Sequence, residues 1–72
     1  MEWVKKARTK WYPDKKIWVI ELWDNEHEDW EFSVGYPCKD MGKDGYGMIS
    51  DRLLCELHHL QYDFGYSIEI TI

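Results

Sequence analysis

Seventy-two residues make one domain. A domain of that size buries only about 60% of the surface its unfolded chain exposes, so large side chains must build its core, and five Trp, five Tyr and two Phe supply them. The apolar runs fall far short of the roughly 18 residues a membrane span needs, and the start M-E-W-V-K-K lacks the apolar core of a signal peptide, so the expectation is a soluble, cytoplasmic protein with Cys38 and Cys55 as free thiols. The net charge of -5 is unevenly spread: residues 1–16 carry six basic side chains against Glu2 and Asp14, and the remainder carries three against twelve acids.

Residues 2–12 are expected to form the first strand. Trp3, Val4, Ala7 and Trp11 fit a helical stripe, but Trp3, Ala7, Thr9 and Trp11 equally share one strand face. The turn that follows decides for the strand, because Tyr12-Pro13-Asp14-Lys15 has Pro where a type I turn wants a fixed φ, followed by Asp.

The second strand, K-I-W-V-I-E-L-W from Lys16, carries apolar residues on both parities: Trp18, Ile20 and Leu22 on one, Ile17, Val19 and Trp23 on the other. That pattern suits a central strand. After the acidic turn D-N-E-H-E-D, the run Trp30, Phe32, Val34, Tyr36 alternates with Asp29, Glu31, Ser33 and Gly35 and predicts a half-buried third strand with its aromatic side inward. The same alternation makes Glu21 and Glu31 near neighbours on the outer face.

Pro37–Gly47 reads as a connector rich in glycine. Its Lys43, Gly45 and Gly47 do not make a phosphate loop, since G-x-x-x-x-G-K-[ST] is missing. Ile49–Phe64 is the helix. Ser50 is a natural N-cap, Asp51 suits the positive end of the macrodipole, and Ile49 is placed to staple onto Leu54. Leu53, Leu54, Leu57, Leu60 and Phe64 form its apolar stripe, Arg52, Cys55, Glu56 and His59 its polar face, and Gly65 its left-handed stop. Tyr66, Ile68, Ile70 and Ile72 then point inward from a last strand.

The fold class is therefore α+β, a small β-β-β-α-β domain. An antiparallel three-stranded meander has one helix packed on one face, and a right-handed crossover adds the C-terminal strand beside the first, in order 3-2-1-4. The uncovered face is expected to show Glu21, Asp29, Glu31, Ser33, Glu69 and Thr71, with Ile17, Val19 and Trp23 among them. The core prediction groups Trp30, Phe32, Leu53, Leu57 and Ile70.

No catalytic pattern stands out, and no enzyme is expected. Cys55 and His59 are spaced i,i+4 with Glu56, His58 and Cys38 as possible companions, but paired zinc-ligand elements are missing. Asp24, Glu26 and Glu28 share parity without the D-x-[DN]-x-[DN]-G-x5-E calcium pattern. No cofactor or metal is expected.

Function is read from charge. Glu21, Asp24, Glu26, Glu28, Asp29 and Glu31 crowd one hairpin with no Lys or Arg among them, and together with Trp23 they predict a protein-binding face. The expectation is a small acidic inhibitor module docking on the basic surface of a partner protein, such as the nucleic-acid-binding surface that small phage and mobile-element inhibitors cover. A homodimer through Ile17, Val19 and Trp23 is a further expectation.

The stretch K-W-Y-P-D-K-K-I-W-V-I-E, Lys10 to Glu21, resembles the opening of cold-shock domains, which run from K-W-F through a short turn to K-G-F-G-F-I. Ile17 and Val19 replace both glycines of that motif, and a helix occupies the half of the chain where the family continues as a β-barrel. The resemblance implies an alternative function, single-stranded nucleic-acid binding, with Trp11, Tyr12 and Trp18 stacking bases and Lys10, Lys15 and Lys16 contacting phosphates.

Overall fold

The computed structural model describes residues 3–43 and 45–71. Its elements are β1 (Lys6–Tyr12), β2 (Ile17–Asp24), β3 (Asp29–Pro37), α1 (Asp51–His58), a π-helical turn (His59–Asp63) and β4 (Ser67–Thr71). The four strands form one mixed sheet in the order β3-β2-β1-β4, with β1–β2 and β2–β3 antiparallel and β4 parallel to β1. This is the expected topology. The first strand begins at Lys6 rather than residue 2, and the expectations for Glu2 and Ile72 lie outside the described residues.

Both hairpins use four-residue connections, residues 13–16 and 25–28. Each ends on a residue with positive φ, Lys16 at 53° and Glu28 at 52°. Pro13 presets the first, as expected. In the second, Asp24 Oδ1 accepts the amide N–H of Glu26 at 2.9 Å, while Asn25 ties the turn to the start of the chain by accepting the Val4 N–H at 2.9 Å and donating to the Val4 carbonyl at 3.0 Å.

The core lies between the sheet and α1. Ala7, Trp11, Trp18, Ile20, Leu53, Leu57 and Leu60 are buried together, with Leu22, Val34, Tyr36, Tyr66 and Ile68 packed at its margin. Trp11 and Trp18 tilt against each other with ring centroids 5.4 Å apart, and the buried indole N–H of Trp18 donates to the Gly47 carbonyl at 2.7 Å. Gly47 is needed there, since a Cβ would lie 2.5 Å from the ring of Trp11. Cys38 closes the same loop by donating from Sγ to the carbonyls of Met48 (3.0 Å) and Asp40 (3.2 Å).

The helix starts as expected, with the Ser50 hydroxyl accepting the Leu53 N–H at 3.3 Å. Gly65 follows it with φ 76°. Between them the last turn widens, and the Phe64 N–H reaches back five residues to the His59 carbonyl at 3.3 Å. Only Leu53, Leu57 and Leu60 of the expected stripe are buried; Leu54 and Phe64 are exposed, because a helix this short presents a narrow face to the sheet.

The expected core needs two further corrections. A β-bulge interrupts β3, so that Ile20 pairs with Val34 but Glu21 pairs with Phe32, leaving Ser33 without a partner. Because one extra residue reverses the faces of everything beyond it, Val34 and Tyr36 face the helix while Phe32 and Trp30 turn to the uncovered side. Phe32 is 64% exposed. Ile70 does face the helix side, opposite Thr9, but α1 does not extend over it and it remains 52% exposed.

Candidate binding face

The uncovered face of the sheet carries the candidate site. Alternation along β1 sends Ala7, Thr9 and Trp11 into the core, so Lys6, Arg8, Lys10 and Tyr12 line the opposite side. Their cross-strand neighbours on β2 are Ile17, Val19, Glu21 and, beyond the paired segment, Trp23. The bulge adds Trp30 and Phe32 from β3.

Cations and rings interleave across this surface. Trp23 and Trp30 face each other edge to face at 5.4 Å. The Lys6 ammonium lies 3.9 Å from the Trp23 ring centre, the Arg8 guanidinium 4.4 Å from that of Trp30, and the Lys10 ammonium 5.2 Å from that of Tyr12. Arg8 also donates from Nε to Glu21 Oε1 at 2.8 Å, and the Tyr12 hydroxyl reaches Glu21 Oε2 at 3.5 Å. Glu21 is thus held inside a basic and aromatic setting.

Beside this lattice lies a groove of about 310 Å³ lined by Tyr12, Lys15, Ile17, Val19, Glu21 and Phe32. Gly35, opposite Val19, makes room for it, since a Cβ there would sit 2.7 Å from Ile17 Cδ1. Val19 forms the buried floor and Phe32 the exposed wall.

The β2–β3 turn closes the hairpin at one end of the sheet. Glu26, His27, Glu28 and Asp29 are exposed, and Asp24 pairs directly with Asp29 across the hairpin. Like charges facing each other cost stability. Asp24 is relieved by His27, whose Nδ1 lies 2.6 Å from Asp24 Oδ2. That hydrogen bond, reinforced by the carboxylate charge, raises the pKa of His27 above its ordinary value and lowers that of Asp24. Asp24, Glu26 and His27 hold potential ligand atoms within 4.8 Å of one another, although both Asp24 oxygens already accept hydrogen bonds inside the turn.

The predicted site residues therefore separate. Glu21 and Trp23 lie on the uncovered face and Glu26 and Glu28 in the turn, but Glu31 pairs with Leu22 and Asp29 with Asp24, which puts Glu31, Asp29 and Asp24 on the helix-side face, so the expected place of Asp29 and Glu31 on the uncovered face is overturned by the bulge. The expected cross-strand neighbourhood of Glu21 and Glu31 is overturned by the bulge, and Glu21 answers Arg8 instead. Of the alternative set, Lys10, Tyr12, Lys15 and Lys16 lie on or beside the uncovered face, whereas Trp11 and Trp18 are buried, 6% and 3% exposed, and cannot stack bases. Sequence reasoning missed Phe32 and Trp30. The Lys6-Arg8-Lys10 parity was visible in the chain, but nothing in it signalled the bulge.

No family model, no curated protein and no solved structure matches this chain. Among the described residues, no helix is long and apolar enough to cross a membrane.

Proposed function

We propose that this chain is a non-enzymatic protein-binding module of the inhibitor type, which docks its acidic β2–β3 hairpin, with Phe32 as the apolar anchor beside it, onto a basic surface of a partner protein. The observation that carries the reading is Phe32, a large apolar side chain 64% exposed at the wall of a groove, on the same hairpin as the cluster Asp24, Glu26, Glu28 and Asp29. A desolvated aromatic anchor gives such interfaces their residence time, and a flanking patch of one charge speeds encounter and selects partners of the opposite charge. Trp23 and Trp30, already ordered by Lys6 and Arg8, add rigid apolar area at little entropic cost. The partner chemistry that fits is a Lys/Arg-rich groove, of the kind nucleic-acid-binding proteins offer.

A second reading rests on Lys10, Tyr12, Lys15 and Lys16 at the other end of the face, which suit the phosphates of a single strand. Loss of Trp11 and Trp18 to the core leaves Tyr12 as the one ring of the original trio outside it. Capture of bound macromolecules from the organism of origin separates the two readings: protein binding yields a polypeptide retained after nuclease treatment, and strand binding yields an oligonucleotide whose affinity falls steeply with salt.

A further inference from the structure

A second cluster lies on the far side of the molecule, on the solvent face of the helix. Cys55, His58, His59, Tyr62 and Asp63 line a depression of about 240 Å³. Cys55 is an exposed free thiol. The His59 backbone N–H donates to the Cys55 carbonyl, so the two residues sit one turn apart, where side chains start roughly 5–6 Å from each other at Cβ. That spacing lets a sulfur and an imidazole nitrogen converge on one ion.

His59 is already oriented. Its Nδ1 lies 2.5 Å from Asp63 Oδ2, and a carboxylate accepting from Nδ1–H leaves the lone pair on Nε2. A carboxylate that holds a histidine from behind is the usual outer support of a metal-binding imidazole. The π-helical turn begins at His59 and ends at Asp63, and such turns recur at functional sites. His58 is turned against Tyr62, edge to face at 5.7 Å, as a side wall of the depression.

We propose that Cys55 Sγ and His59 Nε2 form a bidentate site for a borderline-soft divalent cation of the Zn²⁺/Co²⁺ class, with Asp63 as the positioning carboxylate and water filling the remaining positions. A thiolate and an imidazole together suit these ions better than Mg²⁺ or Ca²⁺, which select oxygen. The thiol proton passes to solvent on binding. Cys38, the other thiol, takes no part, because its sulfur is engaged by the carbonyls of Asp40 and Met48 in the loop beneath Trp11.

The test titrates Co²⁺ into the full chain under a non-thiol reductant and follows the thiolate-to-cobalt charge-transfer band. One ion per chain is expected, displaced by Zn²⁺ but not by Mg²⁺. Cys55→Ser abolishes the band, His59→Gln weakens binding at least tenfold, Asp63→Asn weakens it about tenfold through loss of the outer carboxylate, and Cys38→Ser leaves it unchanged. All three helix positions are exposed, so circular dichroism of the metal-free variants verifies that they fold. The proposal is overturned if saturating Co²⁺ gives no band, if the band disappears with Cys38→Ser and survives Cys55→Ser, or if His59→Gln binds as tightly as the parent.

Discussion

Arg8 and Glu21 face each other across the centre of the uncovered sheet face, Nε to Oε1 at 2.8 Å, with the side chains only 22% and 12% exposed. The acid that looked most like surplus charge in the chain is thus a structural partner of the one arginine on β1. Partial burial and the contact with Trp30 give this pair more weight than an open surface ion pair, whose contribution is about 0–1 kcal/mol.

Glu21→Lys should therefore destabilise the domain by about 1 to 3 kcal/mol, since it leaves two cations opposed in a half-buried setting. At this size that corresponds to a fall in Tm of roughly 4 to 24 °C. Combining Arg8→Glu with Glu21→Arg should recover more than half of the loss. Thermal denaturation at low salt measures both, and an unchanged Tm for Glu21→Lys would remove Glu21 from the folding account.

Leu57→Ala should cost about 2 to 5 kcal/mol, a large share of the roughly 5 to 15 kcal/mol available to a small domain. Leu57 is 5% exposed, within the cluster that joins α1 to Trp11, Trp18 and Ile20. Urea denaturation that finds the variant within a few tenths of a kcal/mol of the parent would mean that α1 does not cover this face.

The bulge makes an unusual prediction about a deletion. Removing Ser33 should leave Val34 opposite Ile20 and Phe32 opposite Glu21, in an uninterrupted ladder with both faces preserved. A folded deletion variant with Phe32 still exposed, read by heteronuclear NMR of the β3 amides and Phe32 ring contacts, is the expected result. Were Ser33 instead part of a regular strand, deletion would drive Phe32 and Trp30 to the other face and unfold the hairpin.

Topology was legible in the sequence because its signals are local. Pro13-Asp14 set the first turn, Ser50 and Gly65 bracket the helix, and alternation in β1 separates Lys6, Arg8 and Lys10 from Ala7, Thr9 and Trp11. The site was legible only in part. Trp30, Phe32, Val34 and Tyr36 share one parity in the chain, and a bulge that requires no particular residue type divides them two and two between the faces. The same shift separates Glu31 from Glu21. Burial of Trp11 and Trp18 follows from their parity with Ala7 and Ile20, so these rings do not have the base-stacking role expected of them from the sequence.

The acidic turn carries a pH signature. His27 is raised by its hydrogen bond to Asp24, so the turn is reinforced below the ordinary histidine pKa of about 6.5 and loses that reinforcement as pH rises through the raised value. Asp24 is lowered by the same bond, so its contribution is present above its ordinary value of 3.8 and is lost as pH falls through the lowered one. NMR titration of the His27 ring should give a midpoint above 6.5, moving back toward 6.5 in Asp24→Asn. A midpoint at or below 6.5 in the parent would contradict the Asp24–His27 hydrogen bond.

The central claim is that the acidic β2–β3 hairpin, with Phe32 beside it, is the docking surface. Its most direct test is the binding kinetics of the captured partner protein with the parent, Phe32→Ser, and Glu26→Lys combined with Glu28→Lys, at low and at high salt. These three side chains are exposed, so Tm should stay within a few degrees in both variants. Reversing the turn charges should slow association at least tenfold at low salt and much less at high salt, where screening shortens to a few ångströms near 1 M. Phe32→Ser should speed dissociation at least tenfold, corresponding to about 1.4 kcal/mol or more. A partner that binds both variants with the parent's association and dissociation rates at either salt would show that recognition lies elsewhere on the molecule.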